Sequence, residues 1–166
     1  MAVSFFDGDY VYKYRKFDST GYIWRLLKYG QLAFSDPTSF NDIFDTMLQL
    51  DSPDKEIKRK VDSWRKQLRI CCMSKTYLSP LMWATYGDLN SGVCIEFHLK
   101  SDYQGHKGLA LSQGNILPAY SVEYNDCYSY TVTSFDKIPM DAILTKNKVW
   151  EAEKEVRFCD KSKYSF

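Results

Sequence analysis

Alternating hydrophobic and polar positions in the first part of the chain predict short strands and a short amphipathic helix. Residues 11–14 alternate and are rich in aromatic side chains, which indicates a first strand. Apolar residues at helical spacing predict a helix from Tyr22 to Tyr29, with Gly30 where a left-handed helix end is needed. Residues 31–34 are expected to form another short strand, which ends at the turn Asp36-Pro37.

The middle of the chain alternates between helical and strand patterns. Apolar side chains recur every three to four positions through residues 57–68, which predicts an amphipathic helix. Residues 69–73 have the composition of a buried strand. Ser79-Pro80 is a strong helix start, and the helix is expected to run through Tyr86. Residues 92–99 form the clearest strand pattern in the sequence.

The last third of the chain begins with a polar, glycine-containing segment. We expect residues 100–117 to form a surface excursion, followed by strands over 120–124 and 128–132 on either side of an Asn-Asp turn. A helical turn is predicted within 138–144, and a final strand over 153–159. This mixed order of elements predicts one α+β domain over residues 1–166, with a mainly antiparallel mixed sheet and short helices.

Composition narrows the function classes. The 22 basic and 21 acidic residues give a net charge of +1, so direct nucleic-acid binding is not supported by charge. The five cysteines include no C-x-x-C pair, and two histidines are too few for most metal sites, so we expect no metal. No apolar run approaches the ~18 residues of a membrane span, which predicts a cytoplasmic protein without a membrane partner.

The C-terminal segment carries the most suggestive candidate chemistry. On an extended strand Glu151, Glu153, Glu155 and Arg157 project to one side. Adjacent carboxylates repel one another, so they need cations, solvent or a ligand beside them. The alternatives are a solvated strand face, a helical acidic patch, or a carboxylate that binds a ribose hydroxyl and stabilises positive charge at its anomeric carbon.

Arginine and aromatic side chains elsewhere are further candidates for ligand contacts. Arg15 closes the aromatic first strand and could hold a phosphate or carboxylate, or form a surface salt bridge. Trp83 and Tyr86 are three residues apart on a predicted helix and therefore share a face. They could stack on a base or nicotinamide ring, or pack in the core. Asp45 and its neighbours are assigned to turns and caps.

Four motifs together resemble a bacterial domain-of-unknown-function family, numbered 2971. They occupy Tyr12–Arg15, Phe40–Asp45, Met82–Phe97 and Trp150–Arg157. The block that starts with Met-Trp and ends with Gly-x-Cys-Ile-Glu-Phe is the most specific of them. The resemblance extends from residue 12 to residue 157 and implies a shared fold without assigning an activity.

The element order is also similar to that of ADP-ribosyltransferases: a strand ending in Arg, a helix ending at Gly, a strand with Ser, and a late Glu-x-Glu strand. This more distant resemblance implies NAD as substrate. It implies that Arg15 and the late glutamates Glu153 and Glu155 are catalytic. It further implies cofactor contacts from a set of residues spread along the chain: Arg15, Tyr14, Ser35, Ser74, Trp83 and Tyr86.

We therefore expect a NAD-dependent ADP-ribosyltransferase or NAD glycohydrolase, in a bacterial toxin or defence setting. The alternative is a non-catalytic module that binds a nucleotide or a partner protein with the same aromatic pocket. In either case the expected partner is a nucleotide or NAD-like small molecule. The sequence does not indicate an acceptor macromolecule.

Overall fold

The computed structural model describes residues 4–17, 21–42, 44–46, 48–50, 55–126, 130–132 and 140–159. The helices are α1 Tyr22–Tyr29, α2 Lys55–Gln67, α3 Pro80–Tyr86 and α4 Asp141–Leu144, with 3₁₀ helices at Pro37–Ser39 and Lys148–Glu153. The strands are β1 Tyr10–Arg15, β2 Leu48–Leu50, β3 Ile70–Ser74, β4 Val93–His98, β5 Lys100–Ser101, β6 Lys107–Ala110, β7 Ile116–Pro118, β8 Tyr120–Ser121, β9 Glu123–Asn125, β10 Tyr130–Val132, β11 Thr145–Asn147 and β12 Glu155–Cys159.

A five-stranded antiparallel sheet with the order β4-β1-β3-β12-β8 organises the fold. β1 pairs with β4 over six positions, from Tyr10 opposite His98 to Arg15 opposite Val93. With β3, however, β1 pairs only where Tyr12 lies opposite Ser74. The two strands therefore separate beyond Tyr12 and leave a gap in the centre of the sheet.

Each face of this sheet packs on its own hydrophobic core. The core on one face contains Val11, Met73, Val156 and Phe158, all at most 2% exposed. The core on the other face combines Ile70 and Cys159 with side chains from α2 and α4, and these are Trp64, Ile143 and Leu144. Since neighbouring residues of a strand point to opposite faces, the alternation along β3 and β12 supplies both cores. The α+β class with a mainly antiparallel sheet is confirmed.

The prediction of a surface excursion over residues 100–117 is wrong. β5, β6 and β7 form a separate antiparallel sheet, in which Gly108 lies opposite Pro118. A side chain at Gly108 would approach the Leu117 carbonyl oxygen to 2.3 Å, so this glycine allows close strand contact. Leu109 and Leu117 pack against the first core. These strands are short and contain glycine and polar residues, which is why the segment resembles a loop in sequence.

Two other predictions also require correction. Residues 31–34 form no strand, and only Ser35 makes an isolated bridge, to Ile70. The segment 120–124 divides into β8 and β9, and β9 pairs in parallel with β11 rather than with a strand beyond the Asn-Asp turn. β10 pairs in parallel with β2, while residues 128 and 129 of the predicted strand lie outside the described residues.

Several local signals in the sequence are confirmed. α1 spans Tyr22–Tyr29 and ends at Gly30, whose φ of 64° is left-handed. The Ser79 hydroxyl accepts a hydrogen bond from the Met82 amide at 3.3 Å, and Pro80 begins α3 as predicted. α2 buries Val61 and Trp64 on one side. Among the described helices none is both long enough and apolar enough to cross a membrane.

Candidate functional site

A cavity of about 310 Å³ lies where β1 and β3 separate. Lys13, Tyr14 and Arg15 of β1 line one side, and Cys72 of β3 lies across the gap. The segment at Ser35 closes the far end, because its amide donates to the Ile70 carbonyl at 2.9 Å and its carbonyl accepts from the Ile70 amide at 3.0 Å. The irregular spacing of two central strands thus creates a hollow inside an otherwise continuous sheet.

A cluster of five buried charged residues, which we call the charged cluster, lies at the cavity, and all of them except Arg157 line it. It consists of Asp45, Lys146, Glu153, Glu155 and Arg157, each at most 6% exposed. Three carboxylates face two cations, so the formal charge of the charged cluster is 2 − 3 = −1. Buried charges are tolerated only when they are paired and hydrogen-bonded, so the geometry of this cluster matters for stability as well as for chemistry.

Arg157 connects two of the carboxylates. Its Nε and Nη2 donate to the Glu155 carboxylate at 2.7 and 3.2 Å, and its Nη1 and Nη2 donate to the two Asp45 oxygens at 2.8 and 2.5 Å. Nη1 also donates to the Ile143 carbonyl at 2.7 Å. All five guanidinium hydrogens thus have an acceptor, which is the arrangement that makes a completely buried arginine acceptable.

Lys146 bridges the remaining carboxylates. Its Nζ donates to Glu153 Oε2 at 2.5 Å and to Glu155 Oε2 at 3.1 Å, and it lies 3.7 Å from Asp45 Oδ2. Burial by itself would lower the pKa of Lys146, but attraction to Glu155 and Glu153 outweighs burial and raises it. Lys146 is therefore protonated and positively charged at neutral pH.

Glu153 is the carboxylate with contacts on both the charged and the aromatic sides of the cavity. Tyr86 donates its hydroxyl to Glu153 Oε1 at 2.6 Å, and the same hydroxyl accepts from Asn41 Nδ2 at 2.8 Å. Burial, and then the hydrogen bond to Glu153, raise the pKa of Tyr86, so its hydroxyl stays protonated and acts as a donor. Asn41, Tyr86 and Glu153 thus form a chain that leads from the exposed rim to the charged cluster.

Glu155 is held differently from Glu153. Burial would raise the pKa of Glu155, but the charges of Arg157 and Lys146 outweigh burial and lower it to about 2. Both of its oxygens already accept hydrogen bonds from these two cations. The neighbouring Cys72 thiol has its pKa raised by burial and by the charge of Glu155, so it is not an activated nucleophile.

The expected arrangement of the C-terminal acids on one strand is wrong. Glu153 is the last residue of a 3₁₀ helix, Lys154 follows with a left-handed φ of 47°, and β12 begins at Glu155. Glu151 lies in the same 3₁₀ helix and is exposed. The turn is held by the Ser74 hydroxyl, which donates to the Glu153 carbonyl at 2.8 Å. Glu153, Glu155 and Arg157 are buried, so the alternative of a solvated strand face does not hold for them.

Six of the eight candidate site residues line one cavity: Tyr14, Arg15, Ser35, Tyr86, Glu153 and Glu155. The other two do not line it. Ser74 is completely buried, and its hydroxyl is committed to the Glu153 carbonyl. Trp83 packs edge-on against Tyr14 and donates its indole N–H to the Tyr77 carbonyl at 2.9 Å. Trp83 therefore supports the cavity wall from behind instead of facing a ligand.

The interpretation of the sequence missed three charged residues that line the cavity, namely Lys13, Asp45 and Lys146. Asp45 was assigned to a turn, and its position 112 residues from Arg157 gave no hint of their contact. The sequence indicated that the late glutamates need cations, solvent or a ligand beside them, and Lys146 is a cation bound to both Glu153 and Glu155. Lys13 is adjacent to the candidate Arg15, but nothing in the local pattern distinguishes it from a surface lysine.

The described residues of this site do not form an evident metal-binding group. In the ranges that the structure describes, no group of three or more His, Cys, Asp or Glu side chains is arranged to hold a metal ion. The carboxylates of the charged cluster are bound by lysine and arginine instead.

Residues 82–158 match the model of a family that is described as a protein of unknown function (DUF2971). The match confirms the resemblance seen in the sequence motifs over this region. It contains Tyr86 and the whole charged cluster except Asp45. Comparison with curated proteins gave no significant match, and comparison with solved structures gave none either.

Proposed function

We propose that the cavity between β1 and β3 binds NAD and that the chain cleaves its nicotinamide–ribose bond, as a NAD glycohydrolase or an ADP-ribosyltransferase. One observation carries this proposal: Arg15, from the N-terminal part, and Glu153, from the C-terminal part, line the same cavity. A cation that can hold a phosphate and a carboxylate that can face a ribose are the two groups that such a reaction needs.

The proposed reaction breaks the bond between C1′ of the ribose and the nicotinamide nitrogen. The bonding electron pair leaves with the nitrogen, so neutral nicotinamide departs and positive charge develops on the ribose. The oxygen of water, or a nucleophilic atom of an acceptor, then forms a bond to C1′ and loses a proton. Glu153 stabilises the positive charge that develops before this bond is complete.

Glu153 is assigned this role in preference to Glu155. Both residues are almost completely buried, but both oxygens of Glu155 are bound by the cations Arg157 and Lys146. Glu153 is bonded on one oxygen by the neutral Tyr86 hydroxyl, which a ligand hydroxyl can replace without loss of a charge pair. Tyr14 and Tyr86 supply aromatic surface beside the ligand, and Ser35 supplies a hydroxyl for the ribose.

Release of nicotinamide from NAD, measured by chromatography, tests the activity. The loss of one preorganised charge contact in a transition state costs about 3 kcal/mol, so Glu153→Gln is expected to be about a hundredfold slower. Glu151→Gln is the matched control, because Glu151 is exposed and lies two residues away. It is expected to retain the rate of the original protein.

Two outcomes would contradict the proposal. One is a clean preparation that releases no nicotinamide and transfers no label from labelled NAD. The other is equal turnover by Glu153→Gln and the original protein. Circular dichroism of each variant checks that a loss of activity does not come from unfolding.

A second candidate is a nucleotide-binding module without turnover, and a specific contact favours it. Glu153 already accepts hydrogen bonds on both oxygens, from Tyr86 and from Lys146. A carboxylate with these two hydrogen bonds can still accept one from a ligand hydroxyl, but part of its negative charge is already compensated by Lys146. This candidate predicts that NAD raises the melting temperature while no nicotinamide is released.

The biological setting proposed for either function is a cytoplasmic toxin or defence protein. Growth arrest on expression, abolished by Arg15→Ala, is the expected outcome for a toxic activity. Unimpaired growth on expression of the active chain would contradict this setting without affecting the proposed reaction.

A further inference from the structure

The positive charge of the chain is unevenly distributed. Residues 10–35 contain five basic side chains and one acidic side chain, a local charge of 5 − 1 = +4, whereas the whole chain has a net charge of +1. The acidic residue, Asp18, lies outside the described residues. Two of the basic residues, Arg25 and Lys28, are exposed on α1. A net charge close to zero therefore does not describe the surface around α1.

Three large aromatic side chains of α1 face the solvent beside these cations. Tyr22 is 56% exposed, Trp24 62% and Tyr29 63%. Large aromatic side chains are usually buried in folded proteins, and a group of them at the surface indicates an interaction site. We call these three residues, together with the exposed Arg25 and Lys28, the α1 surface.

The α1 surface has a regular arrangement. Tyr22, Arg25 and Tyr29 follow one another at intervals of three and four residues, so they form a line along the helix. Trp24 and Lys28 are four residues apart and form a second line. Each line alternates aromatic rings with cations.

Contacts with the rest of the fold hold the α1 surface in place. Ile23, on the inner side of α1, is 4% exposed, and Gly30 ends the helix with its amide donating to the Leu26 carbonyl at 2.9 Å. The Cζ atom of Arg15 lies 6.0 Å from the centre of the Tyr22 ring, so the end of β1 adds a further cation beside the first line. A surface that is already ordered loses less freedom when a partner binds.

Alternating rings and cations match a single nucleic-acid strand, because its backbone is negatively charged and its unpaired bases offer flat faces for stacking. A helix that lies on a membrane instead separates an apolar face from a basic face. In α1 the two kinds of side chain are mixed on the exposed side, where Leu27 is the one aliphatic residue. α2 is also basic, but its one aromatic residue, Trp64, is buried, so α2 offers charge without stacking.

We propose that the α1 surface binds single-stranded nucleic acid, with bases stacked on Trp24 and the two tyrosines and with phosphates held by Arg25 and Lys28. The inference is independent of the reaction proposed for the cavity, because it rests on different residues. Single-stranded DNA and RNA share this chemistry, and the experiment includes both.

Fluorescence anisotropy measures the binding of the full chain to labelled oligothymidylate and oligouridylate of roughly twelve nucleotides, a length within the range that single-strand-binding domains cover. We expect saturable binding of at least one of them, about tenfold tighter than binding of a duplex of the same length, because paired bases cannot stack on the rings. The affinity should fall with salt, with a slope of about −0.7 per contacted phosphate in a plot of log affinity against log salt concentration.

Substitutions separate stacking from charge. Trp24→Ala is expected to weaken binding about tenfold, and Trp24→Phe to retain most of the affinity. Tyr103→Ala is the matched control, because it removes a 94% exposed ring between β5 and β6. Arg25→Gln is expected to make the salt slope about 0.7 less steep, whereas Arg59→Gln on the exposed side of α2 is expected to leave it unchanged. Circular dichroism verifies that each variant is folded.

Three results with the oligonucleotides would overturn the inference: no saturable binding at low salt, equal affinity for single strand and duplex, or equal affinities of Trp24→Ala and Tyr103→Ala. Binding to vesicles that contain phosphatidylserine, without binding to either oligonucleotide, would assign the α1 surface to a membrane and would also overturn it. Release of nicotinamide from NAD by the same preparation is a separate readout, so either proposal can fail while the other stands.

Discussion

Replacement of Arg157 by methionine is the most severe perturbation that the structure identifies. Arg157 is 0% exposed and donates to Asp45, Glu155 and the Ile143 carbonyl. Methionine has a similar length but neither charge nor donors. The substitution would leave two buried carboxylates near Lys146 alone, and the formal charge of the charged cluster would change from −1 to −2, since one cation then faces three carboxylates.

The loss of stability expected for Arg157→Met is large compared with the total free energy of unfolding of a domain of this size. Removing one partner of a buried ion pair costs about 3–5 kcal/mol, because the other partner stays buried and uncompensated. A domain of this size is stabilised by about 5–15 kcal/mol in total. With about 2–4 °C per kcal/mol for a chain of this length, Arg157→Met is expected to melt roughly 6–20 °C lower.

Urea unfolding followed by circular dichroism measures this loss as a change in the free energy of unfolding. Arg59→Met is the control, because Arg59 is exposed on α2, and its effect is expected to stay within about 0.5 kcal/mol. Asp45→Asn added to Arg157→Met returns the formal charge of the cluster to −1 and is expected to recover part of the stability. A loss under about 1 kcal/mol for Arg157→Met would refute the argument from buried charge.

Three further predictions concern other parts of the fold. The pKa of Glu155 is about 2 in the folded protein against an ordinary 4.5. The ionised carboxylate therefore stabilises the fold fully above pH 4.5, and this stabilisation is lost as the pH falls toward 2. In Glu155→Gln the free energy of unfolding should fall less steeply with acidification over this range. Ser79→Ala removes the cap of α3 and should cost about 1 kcal/mol in urea unfolding. Gly30→Ala places a side chain at a φ of 64° and should lower stability by about 1–2 kcal/mol, whereas Gly30→Asn should cost less.

Local signals in the sequence were sufficient to predict those helices and strands whose ends or faces depend on residues within the same segment. The Ser-Pro start of α3, the glycine end of α1 and the alternation of β1 each depend on contacts within a few positions. The small sheet of β5, β6 and β7 was missed because its strands have two to four residues and are specified by pairing with one another. Such short strands are stable only in a tertiary context.

The site was predictable in part. The sequence indicated that Arg15 and the late glutamates belong to one pocket, but it did not indicate which glutamate is bound by Tyr86 and which by Arg157. That distinction arises from the left-handed residue Lys154, which ends the 3₁₀ helix and separates Glu153 from the strand that carries Glu155. The contact of Asp45 with Arg157 joins distant segments, and no pattern within one segment could indicate it.

A crystal structure of Glu153→Gln grown with an excess of NAD tests the central claim most directly, because this variant is expected to bind the substrate without consuming it quickly. NAD is expected in the gap between β1 and β3, with a phosphate on Arg15 and the nicotinamide ribose beside position 153. An empty gap at saturating NAD, or NAD bound on another surface, would contradict it.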